Sequence, residues 1–487
     1  MKSLIATIIL CLTLLTACKS EDRVIWSPDG KRAAVLASDG LRVSDDTGTI
    51  SAPLLVDVQI CRWLPDSIHA LVVSSKTTTS WEETKNLYSA GERLKILHIA
   101  KSIWKAGSAT KLTSLDRALV TDALIYLRYK YGLKALQTRL ADKRTNDYSI
   151  TVEILKILDL ANKSPQSGVV LWRTTKNVDD VRVSPSGNLA AVSVRDGMTN
   201  KIILTSKIIV IPLKVGQPKI AVESLADFPD WSADGKSLFY ISYPKVDEKV
   251  PLSQLYESKH PWVATLNRRE IADANGMILP KFAPTKELAE VLAADSSRVR
   301  CLPDGSVVFH AKQCSFPSLK KTDPQVSLFK LLPDGQSLEP ILASKGLPSD
   351  KMDAFEPNQD GTKISVPGEH GEITVLDMAS GTVTTLEKGG DGDLKFIPQW
   401  RTNEELCYPA RNRENVANGH HADVVLQSLS EPSRRINLSK NWPSTSIEFL
   451  NDDEKPADTL KTKATSTKSK RKIMSGAYHR IQTPAGK

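Results

Sequence analysis

The chain lacks the sequence signatures of several large protein classes. It has six cysteines among 487 residues, and none of them form a CxxC pair or a zinc-type spacing, which argues against a structural zinc site. It contains no G-x-S-x-G, H-E-x-x-H, P-loop or G-x-G-x-x-G pattern, the motifs that carry hydrolase nucleophiles, protease zinc and nucleotide phosphates. We therefore predict no catalytic residue, no cofactor, no metal site and no enzymatic activity.

An excess of charge is also missing from most of the chain. The net charge is +9, but residues 455–487 hold nine Lys/Arg and one Asp, a net +8. The remainder is close to neutral. A nucleic-acid-binding domain carries its basic residues on a folded face, so we predict no nucleic-acid partner.

What the chain does contain is a recurring hairpin motif. Its first copy, Trp26–Lys31 (WSPDGK), precedes the apolar run Ala33–Ala37. The proline presets φ, the aspartate bonds its own backbone and the glycine accepts positive φ, so the flanking segments pair across a tight turn. Further copies begin at Trp63, Val183, Trp231, Cys301, Phe355 and Trp400. The copies are 37 to 70 residues apart, except for one step of 120, which predicts an all-β propeller with six or seven four-stranded blades.

This hairpin resembles the WD40-like repeat (the PD40 type) of TolB-like propellers and of the propeller domains in prolyl-oligopeptidase-type peptidases. The resemblance covers roughly residues 22–450. The absent nucleophile motif and the short remainder of the chain exclude a peptidase of that type. Resemblance to TolB-like propellers implies an envelope protein as partner, met at one face or at the channel mouth. The chain shows no separate N-terminal α/β domain, so the Tol–Pal role is not carried over.

The first 17 residues have the pattern of a signal peptide. Lys2 is followed by an apolar run too short to span a membrane. Leu15–Cys18 resembles the bacterial lipobox, which implies lipidation of Cys18; an ordinary signal peptide is the alternative. Several acyl chains give stable anchoring. Lys19, in place of Asp, favours the periplasmic side of the outer membrane, with the inner membrane or the cell surface as alternatives.

Blade two is interrupted by a helical insertion, predicted at residues 84–146. One apolar stripe at helical spacing consists of Val120, Ala123, Leu124, Leu127 and Tyr131. Thr113 and Asp116 fit a capping box before it, and Gly132 fits its end. An earlier helix, Glu92 to Lys105, has as candidate buried residues Leu94, Leu97, Ile99 and Trp104. The insertion either binds a partner or packs on its own blades.

Five local predictions are also made for the propeller. A short helix is predicted at Thr285–Leu292, and a ring-closing strand at Ser446–Leu450. Cys301 and Cys314 form a bridge or remain buried free thiols. His420 and His421 are interpreted as a surface pair rather than a metal site, and Gly389–Asp393 as a turn rather than a Ca²⁺ loop.

Residues 451–487 have almost no large apolar side chain, which predicts a disordered basic tail. The basic run of this tail either binds an anionic envelope polymer or is only solvated. It consists of Lys468, Lys470, Arg471 and Lys472. The predicted organisation is therefore a signal peptide (1–17), a propeller (18–450) and this tail.

Three functions follow. The first is a lipid-anchored propeller that binds a protein partner without catalysis. The second is a propeller hydrolase or lyase acting on a glycan or lactone, which requires carboxylates or histidines around the axis. The third is polymer binding through the tail.

Overall fold

A computed structural model describes residues 22–108, 119–140, 148–195, 206–216, 219–243, 263–292, 298–311, 313–316, 326–347, 354–368, 371–388, 397–411 and 422–444. The chain forms seven antiparallel sheets, which are the seven blades of a β-propeller. The predicted fold class is confirmed, and the blade count is seven.

The strands of each blade follow one another in the chain. Blade one contains β1 (Val24–Trp26), β2 (Arg32–Ala37) and β3 (Gly40–Asp45); blade two contains β4 (Val58–Trp63), β5 (His69–Thr78), β6 (Ile150–Asp159) and β7 (Val169–Thr174). Blade three contains β8 (Asn177–Val183), β9 (Leu189–Arg195), β10 (Ser206–Pro212) and β11 (Ile220–Ser224); blade four contains β12 (Ala226–Trp231), β13 (Ser237–Ser242), β14 (Val263–Glu270) and β15 (Lys286–Leu292). Blade five contains β16 (Val299–Cys301), β17 (Val307–His310), β19 (Leu328–Leu331) and β20 (Leu338–Pro340); its β18 (Gln313–Ser315) pairs instead with β15 of blade four. Blade six contains β21 (Glu356–Pro357), β22 (Lys363–Pro367), β23 (Ile373–Asp377) and β24 (Val383–Glu387); blade seven contains β25 (Gln399–Trp400), β26 (Glu405–Arg411), β27 (Ala422–Ser428) and β28 (Arg435–Asn437).

The repeated motif forms the turn between the first two strands of a blade. In blade one, the Ser27 N–H donates to the Arg32 carbonyl at 2.7 Å, and the Gly30 N–H donates to the Ser27 carbonyl at 2.8 Å. Gly30 has φ +67°, which a residue without Cβ adopts at no steric cost. Asp29 accepts from the Ser27 hydroxyl at 2.6 Å and from the Lys31 N–H at 3.1 Å. Each motif residue therefore has a defined role in closing the hairpin.

The tryptophan of the motif joins one blade to the preceding one. Trp63 Nε1 donates to the Ile25 carbonyl of blade one at 2.8 Å. Trp231 makes the same bond to the Arg182 carbonyl at 3.0 Å, and Trp400 to the Glu356 carbonyl at 2.9 Å. Each acceptor lies on the first strand of the previous blade, so the motif sets both the turn and the packing of neighbouring blades.

Alternation of strand direction gives the propeller two distinct faces. The motif turns and the connections between third and fourth strands lie on one side, which we call the turn face. The first strands begin on the other side, which we call the insertion face, and second strands connect to third strands there. The β5–β6 hairpin extends beyond β4 at this face, since Val58 lies opposite Ser74 while pairing of β5 with β6 continues to Thr78 and Ile150.

Helices interrupt this hairpin, which confirms a helical insertion. They are α1 (Trp81–Thr84), α2 (Ala90–Ala106), α3 (Val120–Tyr131) and α4 (Leu133–Leu140). They have a core of their own, which includes Trp81, Ile96, Ile99, Ile103, Leu124, Leu127 and Leu136. No helix within the described ranges combines the length and the apolar character needed to cross a bilayer.

The helical predictions are partly correct. Gly132 ends α3 with φ +82°, and a capping box starts α2, formed by Ser89 and Glu92. The predicted capping pair, Thr113 and Asp116, lies outside the described residues. Ile99 is buried and Trp104 half-buried.

Two of the side chains predicted to be buried are exposed instead: Leu94 is 68% exposed and Leu97 37%. Tyr131, the last residue of the predicted apolar stripe, is 39% exposed. Tyr131 stacks on Trp104 with the ring centroids 4.0 Å apart. Periodicity identifies an apolar face but does not say what covers it.

Two predictions concern the region around β15. A helix at Thr285–Leu292 is wrong: Lys286–Leu292 is the strand β15, paired with β14 on one side and β18 on the other. Cys301 and Cys314 are free thiols. Cys301 lies on β16, the innermost strand of blade five, whereas Cys314 lies on the outermost strand of the blade four sheet. Because neighbouring strands are about 4.8 Å apart, an innermost and an outermost strand are too far apart for a disulfide.

Blade seven closes the ring against blade one through side chains. A shared core contains Trp26 and Val35 from blade one and Leu426 and Trp442 from the other end. Trp442 Nε1 donates to the Gly48 carbonyl at 2.9 Å. Among the described residues, no sheet combines strands of blades one and seven. The predicted closing strand, Ser446–Leu450, lies outside the described residues.

Candidate functional site

The residue just before the first residue of each motif turn occupies the same register in every blade. In blade six that first residue is Pro357, which pairs with Ile364, and not Phe355 as predicted. In order from blade one these residues are Ile25, Arg62, Arg182, Asp230, Arg300, Glu356 and Gln399. Six of the seven are polar, and they lie on the innermost strands. Together with Asp22, Asp180 and Arg298, the charged ones form what we call the axial cluster.

One half of the axial cluster is built around Arg62. Its Nη2 lies 2.6 Å from Asp22 Oδ2 and 3.0 Å from Asp180 Oδ1. Its Nε donates to the Val181 carbonyl at 3.0 Å, which orients the guanidinium. Gln399 Nε2 donates to Asp22 Oδ1 at 3.0 Å, so blades one, two, three and seven meet here.

The other half is built around Glu356. Arg300 donates to Glu356 Oε2 from Nε and Nη2, both at 2.9 Å. Arg298 lies 3.6 Å and Arg182 4.0 Å from the same carboxylate. Arg182 also lies 3.1 Å from Asp180, and it therefore joins the two halves. One carboxylate thus faces three arginines from blades three and five.

Burial and charge act in opposite directions on these groups. Burial raises the pKa of Asp180, but Arg182 and Arg62 outweigh it and hold that pKa below its ordinary value. Glu356 is likewise held below its ordinary pKa, mainly by Arg300 against the effect of burial. Asp230 differs, because burial raises its pKa more than Arg182 and Arg300 lower it. Burial and the neighbouring Arg182 lower the pKa of Arg300 to about 10.

A pocket of about 550 Å³ opens over this cluster on the turn face. Apolar and small side chains from five motif turns line it, including Pro28, Pro65, Pro185, Ala233 and Pro303. Its charged floor consists of Arg182, Asp230, Arg300 and Glu356. An apolar rim above a few fixed charges is typical of a binding site, and arginines held by ion pairs are already oriented for a ligand.

Sequence reasoning missed the axial cluster, although a signal was present. Polar residues directly before a motif copy recur in five of seven repeats. In blade six the sequence places the copy at Phe355, two residues before the structural equivalent Pro357, and so hides Glu356. The position becomes axial only when the repeats close into a ring. The described residues do not include Cys18, Gly389–Asp393, His420, His421, Lys468, Lys470, Arg471 or Lys472.

The remaining titratable candidates are the thiols. Cys61, Cys301, Cys314 and Cys407 are free, and all but Cys301 are buried. Burial raises the pKa of Cys61, Cys314 and Cys407 to about 12, so these thiols are protonated near neutral pH. Among the residues that the structure describes, no group of three or more His, Cys, Asp or Glu side chains is arranged to hold a metal ion.

Comparison with known proteins finds structural neighbours of low sequence identity and low TM-score. No family model and no curated protein matches the chain. TolB from Acinetobacter baumannii is 14% identical over 57% of this chain and 57% of that chain, with a TM-score of 0.34. The tricorn protease is 10% identical over 87% of this chain but 35% of that one, with a TM-score of 0.45. An oligogalacturonate lyase in complex with manganese is 11% identical over 62% and 80%, with a TM-score of 0.37. The seven sheets of the chain itself confirm the expected β-propeller.

Proposed function

We propose that the protein is a bacterial envelope lipoprotein, anchored through Cys18, whose propeller binds a protein partner at the turn face without catalysis. The pocket over the axial cluster carries this proposal. It is lined by turns of one repeated design, and its charges are held in place before any ligand arrives. Preorganised sites of this kind bind with little loss of side-chain entropy.

The pairing of the axial carboxylates supports binding rather than hydrolysis. Asp22, Asp180 and Glu356 each contact at least one arginine within 3.0 Å. Such carboxylates remain ionised and are already engaged, which suits neither a general acid nor an activated water.

Crosslinking in native membranes tests the proposal. Ala233 is exposed at the pocket, so Ala233→Arg would fill the mouth without disturbing the core. Ala161→Arg is the matched control, because Ala161 is also exposed on the turn face but does not line the pocket. We expect the full chain and Ala161→Arg to capture one discrete protein and Ala233→Arg to lose it.

A truncation after Asn451 separates the tail hypothesis from this one. Capture that requires the tail and disappears at high salt would contradict partner binding by the propeller and favour an anionic polymer. Incorporation of a palmitate analogue, absent in Cys18→Ser, tests the lipid anchor.

A second function, a propeller hydrolase or lyase, is favoured by one group. Asp230 lies in the pocket floor with a raised pKa, a property shared by general acids. Release of product from a glycan or lactone panel by the wild type, abolished in Asp230→Asn, would establish this alternative.

A further inference from the structure

We propose that the helical insertion docks on an anionic membrane surface through α2, so that the insertion face meets the lipid and the turn face points away from it. Contact of α2 with lipid is independent of the proposed function. The orientation of the turn face rests on the proposed anchor at Cys18.

The exposed side of α2 carries an open apolar stripe beside basic residues. Leu94, Leu97, His98, Lys101 and Lys105 are exposed at positions i, i+3, i+4, i+7 and i+11, which is one side of a helix. A different set, Ile96, Ile99, Ala100 and Ile103, packs into the core of the insertion. The helix is therefore held by one side while two leucines and several cations remain in solvent. That combination is typical of helices that lie in a membrane interface.

The charge of the insertion selects anionic lipid as the occupant. Helices α1 to α4 contain eight Lys/Arg and four acidic residues. None of the four acidic residues is an unpaired charge at the surface. Glu82 is paired with Lys85, and Glu83 with Lys76 at 3.1 Å. Glu92 is paired with Lys176 at 2.7 Å, and Asp122 is buried against the Tyr88 hydroxyl with a raised pKa. Basic residues near an anionic bilayer are attracted to its surface charge.

The topology of the propeller places this surface beside the predicted anchor. The insertion leaves from the β5–β6 hairpin at the insertion face, and β1 begins at the same face. Lys176 lies in the β7–β8 connection, also at this face, and its bond to Glu92 fixes the start of α2 there. Cys18 precedes Asp22 by four residues, which span at most about 14 Å. A lipid on Cys18 would hold the insertion face, not the turn face, against the bilayer.

Vesicle sedimentation of the full chain tests this docking. The chain carries Cys18→Ser, so lipid binding does not depend on the anchor. Vesicles contain either phosphatidylcholine alone or two parts phosphatidylcholine to one part phosphatidylglycerol. The basic tail is present in every variant and contributes equally to each.

Two variants of α2 are compared with two of the turn face. Lys95→Glu, Lys101→Glu and Lys105→Glu together reverse the charge of α2, and Leu94→Gln with Leu97→Gln removes its exposed leucines. The charge control is Lys31→Glu, Lys163→Glu and Lys214→Glu, three exposed lysines of the turn face. The apolar control is Val169→Thr with Val215→Thr, whose side chains are 52% and 62% exposed at that face.

We expect the charge-reversed α2 to lose more than tenfold in binding to the anionic vesicles and the leucine variant about tenfold, with controls within twofold. Equal losses in α2 and turn-face variants, or no loss in any, would overturn the proposal. So would a leucine variant that binds vesicles normally but fails to capture a protein, because the occupant would then be a protein. If Cys18 proves unlipidated while α2 still binds vesicles, the anchor fails and the docking surface stands.

Discussion

The two faces of the propeller differ in how the sequence builds them. On the turn face, seven short turns follow one repeated pattern, and the pocket between them contains charges that are paired with one another. On the insertion face, a single hairpin carries four helices with cations directed to solvent. The turn that joins the first two strands is constrained in three repeats by a second contact, because Trp63, Trp231 and Trp400 also bind the previous blade. The connection between the second and third strands has no such constraint and therefore tolerates an insertion.

This difference predicts two kinds of binding. Ligands of the turn face meet ion pairs that are buried and weakly screened, whereas ligands of the insertion face meet exposed lysines whose attraction falls steeply with salt.

Arg300→Ala should destabilise the axial cluster most. It leaves Glu356 and Asp230 buried with fewer cations, which costs about 3–5 kcal/mol in the free energy of unfolding. Arg434→Ala is the control, since its side chain is 54% exposed and 3.5 Å from Glu405, and it should cost less than about 1 kcal/mol. Urea denaturation measures both. Equal losses would show that the axial pairs contribute no more than surface pairs.

Excision of the insertion should abolish lipid binding at the insertion face without affecting partner binding at the turn face. Thr78 and Ile150 are the last paired residues, so an Asn-Gly turn in place of residues 79–149 closes the hairpin. We expect binding of the unlipidated chain to anionic vesicles to fall more than tenfold, while partner capture at the turn face persists. Loss of that capture would mean that the two faces act together.

Trp231→Phe tests the joint between blades that the turn face depends on. The substitution leaves the Arg182 carbonyl without the indole donor and should cost about 1–2 kcal/mol in unfolding free energy. Trp172→Phe is the matched control, because the structure gives its buried indole nitrogen no hydrogen-bond partner. A larger loss in the control would contradict the role assigned to the motif tryptophan.

Glu92→Gln should have the smallest effect, and one confined to the insertion face. Burial raises the pKa of Glu92, but bonds from Lys176 and Ser89 outweigh it and lower the pKa to about 2, against 4.5 for the ordinary group. The ionised carboxylate therefore adds stability that is complete above pH 4.5 and is lost as the pH falls towards 2. The contribution is under about 1 kcal/mol, because the pair is partly exposed.

Unfolding midpoints at pH 6 and pH 3 check this. The advantage of the wild type over Glu92→Gln should be smaller at pH 3 than at pH 6. Glu83→Gln, at an exposed position of α1, is the control. An advantage that grows at low pH would reverse the assigned sign.

The sequence predicts the blades because the repeat is local, but it does not reveal the axial cluster. Arg62, Asp180 and Glu356 are far apart in the chain, and only ring closure brings their blades together. The error at Lys286–Leu292 has the opposite cause. Its residues Lys-Glu-Leu-Ala-Glu-Val-Leu favour helix, yet pairing with β14 and β18 on both sides overrides that preference.

Pairing of β18 with β15 also has a consequence for how the ring opens. β18 belongs to blade five by chain order, but Val291 of blade four is paired with Cys314 on it. If blade five detached and took β18 with it, β15 at the edge of blade four would lose its hydrogen-bonded neighbour. Backbone amides of these two blades should exchange with deuterium as one cooperative unit, at a rate distinct from that of blades joined by side chains alone.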